Sequence, residues 1–241
     1  MFTVRRVLLA SFIALTFMGA AITATRNTAR LIMPLAPLTA ASSPFTSIEL
    51  HDGAKAVLQY GAIQSVALVK GNQDVSRVTV EGDRLVIEKC RDKCPRGYQL
   101  EIEVVTPAIA AISISDGGTI ESRGNFPRQA EISFAVSNGG MIDARAILAG
   151  NVAATVNQGG SILAKPQATM VASVSNGGVI TYWGDAQVTS STQHGGQVIK
   201  GATEEANKPV SEFVSGVSCD SPVAVPNALS GKKIKNRGRW F

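Results

Sequence analysis

A glycine-paired phrase returns five times in this chain: SDGGTI at 115, SNGGMI at 137, NQGGSI at 157, SNGGVI at 175 and QHGGQV at 193. The first glycines stand at 117, 139, 159, 177 and 195, so the spacings are 22, 20, 18 and 18 residues. A period near 20 is the signature of stacked repeats, in which each unit covers the apolar face of the next. The flanking residues agree. Three places before the glycine stand Ile114, Val136, Val156, Val174 and Thr192, and five before stand Ile112, Phe134, Ala154, Ala172 and Ser190. Three places after it stand Ile120, Ile142, Ile162, Ile180 and Val198. This is period-two alternation entering and leaving a turn, the pattern of strands with one apolar face.

The intervening positions are small or polar and are expected to face outward. The glycine pair supplies backbone angles that a side chain would oppose, and the Asn or Asp before it tolerates such angles. Antiparallel hairpins would send successive corners to opposite ends of a sheet. A coil stacks like on like about 4.8 Å apart, so that Ile lies on Ile and Asn on Asn. The repeat therefore predicts an all-β fold, a right-handed parallel β-helix. Residues 45–110, with runs such as KAVLQY, SVALVK and RVTVEG, are expected to form early coils or an irregular strand cap at the N-terminal end. Such a cap protects an edge that would otherwise template aggregation.

The ends read differently. Residues 1–24 have a basic start, an apolar run from Val7 to Ala24 and small residues at Gly19, Ala20, Ala21 and Ala24, the pattern of a secretory signal peptide cut after Ala21 or Ala24. An uncleaved anchor is the competing reading, but Ser11, Thr16 and Thr23 dilute the run. Residues 25–44 read as a linker, 45–201 as the repeat domain and 202–241 as an irregular basic tail. The net charge of +5 comes from Arg5, Arg6 and the tail cations Lys232, Lys233, Lys235, Arg237 and Arg239, leaving 16 basic against 18 acidic residues from 7 to 231. That near-neutral body argues against a nucleic-acid groove. The tail, ending in Trp-Phe, suits an anionic membrane surface or a disordered end equally.

An exported chain carrying FTSIELHDGAKAVLQYG, GDRLVIE and LEIEVVTP ahead of glycine-paired corners resembles the head GIN domain family, bacterial envelope proteins described as autotransporter adhesins. The similarity covers about residues 45 to 200. The family usually alternates Ser and Gly at its corners, where this chain has Asn-Gly-Gly or near variants. The resemblance implies a non-enzymatic protein of the periplasm, outer membrane surface or exterior that acts in adhesion or assembly.

The binding stripe expected from the alternation comprises Ser113, Ser115, Ser137, Thr155, Asn157, Ser173 and Ser175, with Tyr182 and Trp183 beside it as stacking rings. A glycan or another envelope component is the expected partner. The alternative is a polysaccharide lyase or hydrolase on the same scaffold, drawing on Glu121 and Asp143, which fall at the same point of adjacent repeats with Arg123 and Arg145 two residues on. A solvated charge ladder accounts for these four more simply and is the favoured reading. His51 and His194 sit in turns, outside any zinc or catalytic spacing, and no cofactor or metal is expected. Cys90 and Cys94, in CRDKC, are placed for a local disulfide. One of them joined to Cys219 would instead close a loop of more than a hundred residues, contributing about 4 to 5 kcal/mol in chain-entropy terms.

Overall fold

The repeated phrases are stacked corners. The structure, a computed structural model, describes residues 43–90 and 92–207. The expected signal peptide, most of the linker, the basic tail beyond Asn207 and Cys219 lie outside the described residues. Fourteen strands form a single sheet: β1 (Ser47–His51), β2 (Lys55–Tyr60), β3 (Ser65–Lys70), β4 (Arg77–Glu81), β5 (Arg84–Glu88), β6 (Glu101–Thr106), β7 (Ala111–Ser115), β8 (Thr119–Arg123), β9 (Gln129–Ser137), β10 (Met141–Asn157), β11 (Ser161–Ser175), β12 (Val179–Tyr182), β13 (Gln187–Thr192) and β14 (Gln197–Lys200). A single 3-10 turn, Thr203–Asn207, follows. Among the described residues no helix is long and apolar enough to cross a membrane.

The aligned columns pair in register and in parallel. Ile114, Val136, Val156, Val174 and Thr192 are successive partners along β7, β9, β10, β11 and β13. Across the corner, Ile120, Ile142, Ile162, Ile180 and Val198 pair along β8, β10, β11, β12 and β14. From Ile112 to Ile180 the aliphatic members of both columns are buried, because each lies between its counterparts above and below. At the far end the inward places become Ser190 and Thr192, both exposed, so the core closes on hydroxyls rather than on open hydrocarbon.

The corners are held by rungs between carbonyls and amides of successive turns: Met141 N–H donates to Gly118 O (3.0 Å), Ser161 N–H to Gly140 O (2.9 Å) and Val179 N–H to Gly160 O (3.0 Å). Asp116, Asn138, Gln158, Asn176 and His194 all take the left-handed conformation, with φ between 47° and 62°. The side-chain amide of Asn138 also donates to Asp116 Oδ1 at 2.9 Å. A sixth corner precedes the repeat. Asp52 (φ 59°) and Gly53 (φ 71°) turn β1 into β2, and Ala54 O accepts from Thr119 N–H at 3.0 Å. It escapes the sequence pattern because Ala54 stands where later corners have the second glycine.

The front is less regular than the uniform parallel coil the repeat predicts, for the sheet is mixed. β1 and β2 pair with β7 and β8 on one side and with β5 and β6 on the other, all in parallel. β3 and β4 then run antiparallel to β6 and β5. The reason is local. β4 returns into β5 through the two-residue turn Gly82-Asp83, with Gly82 at φ 66°, and a connection that short joins only antiparallel neighbours. These strands cover the first edge, the capping role expected of this region.

In the β5–β6 winding the corner is replaced by a loop in which Cys90 and Cys94 form a disulfide, with Cα atoms 5.5 Å apart. Tyr98 pins the same loop. Its hydroxyl accepts from Asn72 N–H (2.6 Å) and lies 2.6 Å from Ser76 Oγ, which in turn donates to Lys89 O (2.8 Å). A ring this small removes little chain entropy. The Cys90→Ser, Cys94→Ser double variant is expected to unfold about 2 kcal/mol more easily, measured by urea titration under non-reducing conditions.

Candidate functional site

Two surfaces follow from this architecture. The first is the outward face of β7, β9, β10, β11 and β13. Its registered columns read Ser113, Ala135, Thr155, Ser173, Ser191; then Ser115, Ser137, Asn157, Ser175; then Ala111, Ser133, Ala153, Val171, Thr189. Thr155, Asn157 and Ser173 are exposed, and Ser113, Ser115, Ser137 and Ser175 are half-buried. All seven expected small polar positions therefore share one face. Ser133, Ala135, Ala153, Val171, Thr189 and Ser191 join them, with Val171 61% exposed. The same alternation carried two residues further from the corner locates these additional places.

No member of these three columns is charged. Part of the surface is knit together: Ser175 Oγ donates to Asn157 Oδ1 at 2.9 Å and Thr169 Oγ1 to Asn151 Oδ1 at 2.8 Å. Charge enters at the exposed Glu131 of β9, the register partner of Asn151, and at β1, where Glu49 contacts His51 Nε2 and Arg84 Nε, each at 3.0 Å.

The second surface lies across the corners. A cavity of about 650 Å³ is lined by Glu121, Arg123, Phe126, Asp143, Arg145 and Lys165, with Asn207 closing its rim. Glu121 and Asp143 are register partners, as their equivalent places in the repeat imply. Each is gripped by the arginine two residues on. Arg123 Nε and Nη2 donate to the two oxygens of Glu121 at 2.9 and 3.0 Å. Arg145 Nε and backbone N–H both reach Asp143 Oδ1, at 2.8 and 3.1 Å, and its Nη2 reaches Oδ2 at 2.6 Å.

The environments of the two pairs differ. The side chains of Arg145 and Asp143 are 8% and 6% exposed, whereas Arg123 is 53% exposed. The hydrogen bond from Arg123 to Glu121 raises the guanidinium pKa further above its already high ordinary value. Each carboxylate is thus held in a fixed orientation by its bidentate arginine partner.

Tyr182 and Trp183 do not flank the polar face as expected. Tyr182 ends β12 and Trp183 follows it, on the other side of the corner. Trp183 is only 4% exposed, with its ring 5.6 Å from the Arg145 guanidinium carbon and its Nε1 donating to Ala202 O at 2.8 Å. Tyr182 packs against the core. The Trp183 ring is spent on covering the sheet and offers no open stacking surface to a sugar, while Tyr182 stays half-buried. His194 is the fifth corner residue, at φ 47°. Among the described residues no group of three or more His, Cys, Asp or Glu side chains converges as a metal site would require.

Residues 44–131 match the family model described as "Putative auto-transporter adhesin, head GIN domain". Over that segment the chain is similar to the head GIN family. The matched segment begins just before β1, includes the antiparallel cap and ends inside β9, and the corners at 139, 159, 177 and 195 lie beyond it. Among solved structures the chain is similar to a "putative adhesin" from Bacteroides fragilis, at 14% identity and a TM-score of 0.42 over 66% of this chain and 92% of that one. It is also similar to a "putative lipid binding protein" from Parabacteroides distasonis, at 14% identity and a TM-score of 0.25 over 66% and 94%. A "putative cell adhesion protein" from Clostridium sporogenes is similar at 12% identity and a TM-score of 0.32 over 69% and 97%. No curated protein matches.

Proposed function

We propose that this is an exported, non-enzymatic cell-envelope protein that adheres to or assembles with an envelope glycan or another envelope component. In this reading residues 1–24 are a signal peptide, 25–44 a linker, 45–201 a domain wound as a right-handed parallel β-helix and 202–241 a basic tail. The adhesin description of the head GIN family supports the envelope setting. The observation that carries the reading is the outward face of β7, β9, β10, β11 and β13, whose three columns nearest the corner are uncharged and where hydroxyls and amides recur at the strand spacing. A rigid row of donors and acceptors meets the hydroxyls of an extended polymer with little ordering of its own side chains. The polysaccharide-cleaving alternative would use Glu121 and Asp143, and their engagement by Arg123 and Arg145 favours binding over turnover.

The test is a panel of envelope glycans offered to the full chain and to a Thr155→Glu, Ser173→Glu double variant. These two are register neighbours in one exposed column. The expected result is retention without product, weakened about tenfold or more in the variant, with the circular dichroism spectrum unchanged. Equal retention by both proteins, or release of a new reducing end, would overturn the proposal.

A further inference from the structure

A second concavity lies at the capped front of the stack. It holds about 490 Å³ and is lined by Gly53, Lys55, Lys70, Lys89, Gly97, Tyr98, Gln99, Leu100 and Glu101. Its charges come from strands far apart in sequence. Lys55 opens β2, Glu101 opens β6 and Lys70 ends β3, and Glu101 is the register partner of both lysines. Lys89 follows β5 directly and enters from the disulfide loop.

Three ammonium groups thus share one mouth with a single carboxylate. Glu101 is committed to Lys55 at 3.0 Å. Lys70 Nζ donates to the Gln99 side-chain oxygen, a neutral partner, and Lys89, half-buried, makes no ion pair among the described residues. Lys55 and Lys70 lie on the two strands that flank β6, with Glu101 between them, so one carboxylate faces three cations at this mouth and an entering anion would offset the excess positive charge. General basicity does not explain it, because the chain between residues 7 and 231 carries slightly more acid than base. The walls are also fixed in advance: the Tyr98 hydroxyl is held by Asn72 and Ser76, and Lys89 O by Ser76 Oγ.

We propose that this cavity binds a tetrahedral oxyanion, phosphate or sulfate, carried on a sugar. The three lysines supply point charges that accept either anion without demanding a planar fork. The volume exceeds that of the ion alone and leaves room for the sugar that bears it. The site involves none of the five strands of the polar face, so each proposal can fail without the other.

Binding of the full chain to three probes tests it: a heparin-derived tetrasaccharide for sulfate, mannose 6-phosphate for phosphate, and inorganic phosphate for the free ion. The expected result is saturable binding to one or both sugar probes, tighter than to inorganic phosphate and weakening with added salt. A Lys70→Gln, Lys89→Gln variant is expected to lose about tenfold or more in affinity. Lys200→Gln, which removes an exposed lysine paired with Asp185, is expected to bind as the parent does. So is a full-length variant with Lys232, Lys233, Lys235, Arg237 and Arg239 changed to Gln. Which sugar probe binds identifies the anion. The proposal is overturned by binding to neither sugar, by undiminished binding of the Lys70→Gln, Lys89→Gln variant, or by loss that follows the tail cations instead.

Discussion

Gly160→Ala is expected to destabilise the fold by about 3 kcal/mol or more, an effect out of proportion to one added methyl group. Two causes combine. Gly160 has φ +97°, where an alanine is strained by about 1 to 3 kcal/mol. A Cβ there would also stand 2.8 Å from Gly140 O and 2.6 Å from Val136 Cγ1. The carbonyl cannot step aside freely, because it accepts the Ser161 N–H rung at 2.9 Å. Forced repacking of that kind adds about 1 to 3 kcal/mol.

Gly159→Ala isolates the first cause. Its φ is +84°, yet nothing lies within 4 Å of the place its added methyl would take, so the expected cost is only about 1 to 2 kcal/mol. Urea unfolding followed by circular dichroism measures both. Equal losses for the two variants would mean that successive corners do not approach this closely.

Arg145→Met is the second large effect, expected at about 3 to 5 kcal/mol. The variant preserves much of the side-chain volume but strands the Asp143 carboxylate, 6% exposed, with the Nε and Nη2 donors gone. Adding Asp143→Leu should recover most of the loss, since the burden lies in the uncompensated charge rather than in the missing attraction. The corresponding Arg123→Met change, one strand away, is expected to cost no more than about 1 kcal/mol, because water solvates the exposed pair. Thermal unfolding of the parent and these three variants as a set would show this difference. A loss of about 1 kcal/mol for Arg145→Met would place that pair in solvent after all.

The same pair shows how far repeat arithmetic reaches. Alignment puts Glu121 beside Asp143 and Arg123 beside Arg145, and the register pairs Glu121 with Asp143. It does not tell that one pair is sealed and the other left in water. That distinction arises because residues 201–207 leave β14 and cross the outside of the sheet, where Ala202 meets Trp183 and Asn207 meets Lys165. Nothing in the local pattern of those seven residues announces the path. Trp183 departs from expectation for a related reason: its neighbours in sequence suggest a surface ring beside a polar stripe, while its neighbours in space are Arg145 and Ala202.

What the sequence determined by itself was everything set by short-range stereochemistry. Positive φ at an Asn-Gly-Gly corner and period-two burial on either side depend on residues within one turn of the chain, and repetition makes them legible by alignment. The inward columns, the outward small residues and the stacking of corners all follow. The tertiary structure alone decided the order of windings at the front, where β5 and β6 sit on the far side of β1 and β2 from β7 and β8. It also gathered Lys55 and Lys70 from two strands and Lys89 from the loop after a third around one cavity. The physical reason is that pairing at the cap is chosen by which long-range contacts cover the first edge and its apolar core, and such contacts carry no periodic mark in the chain.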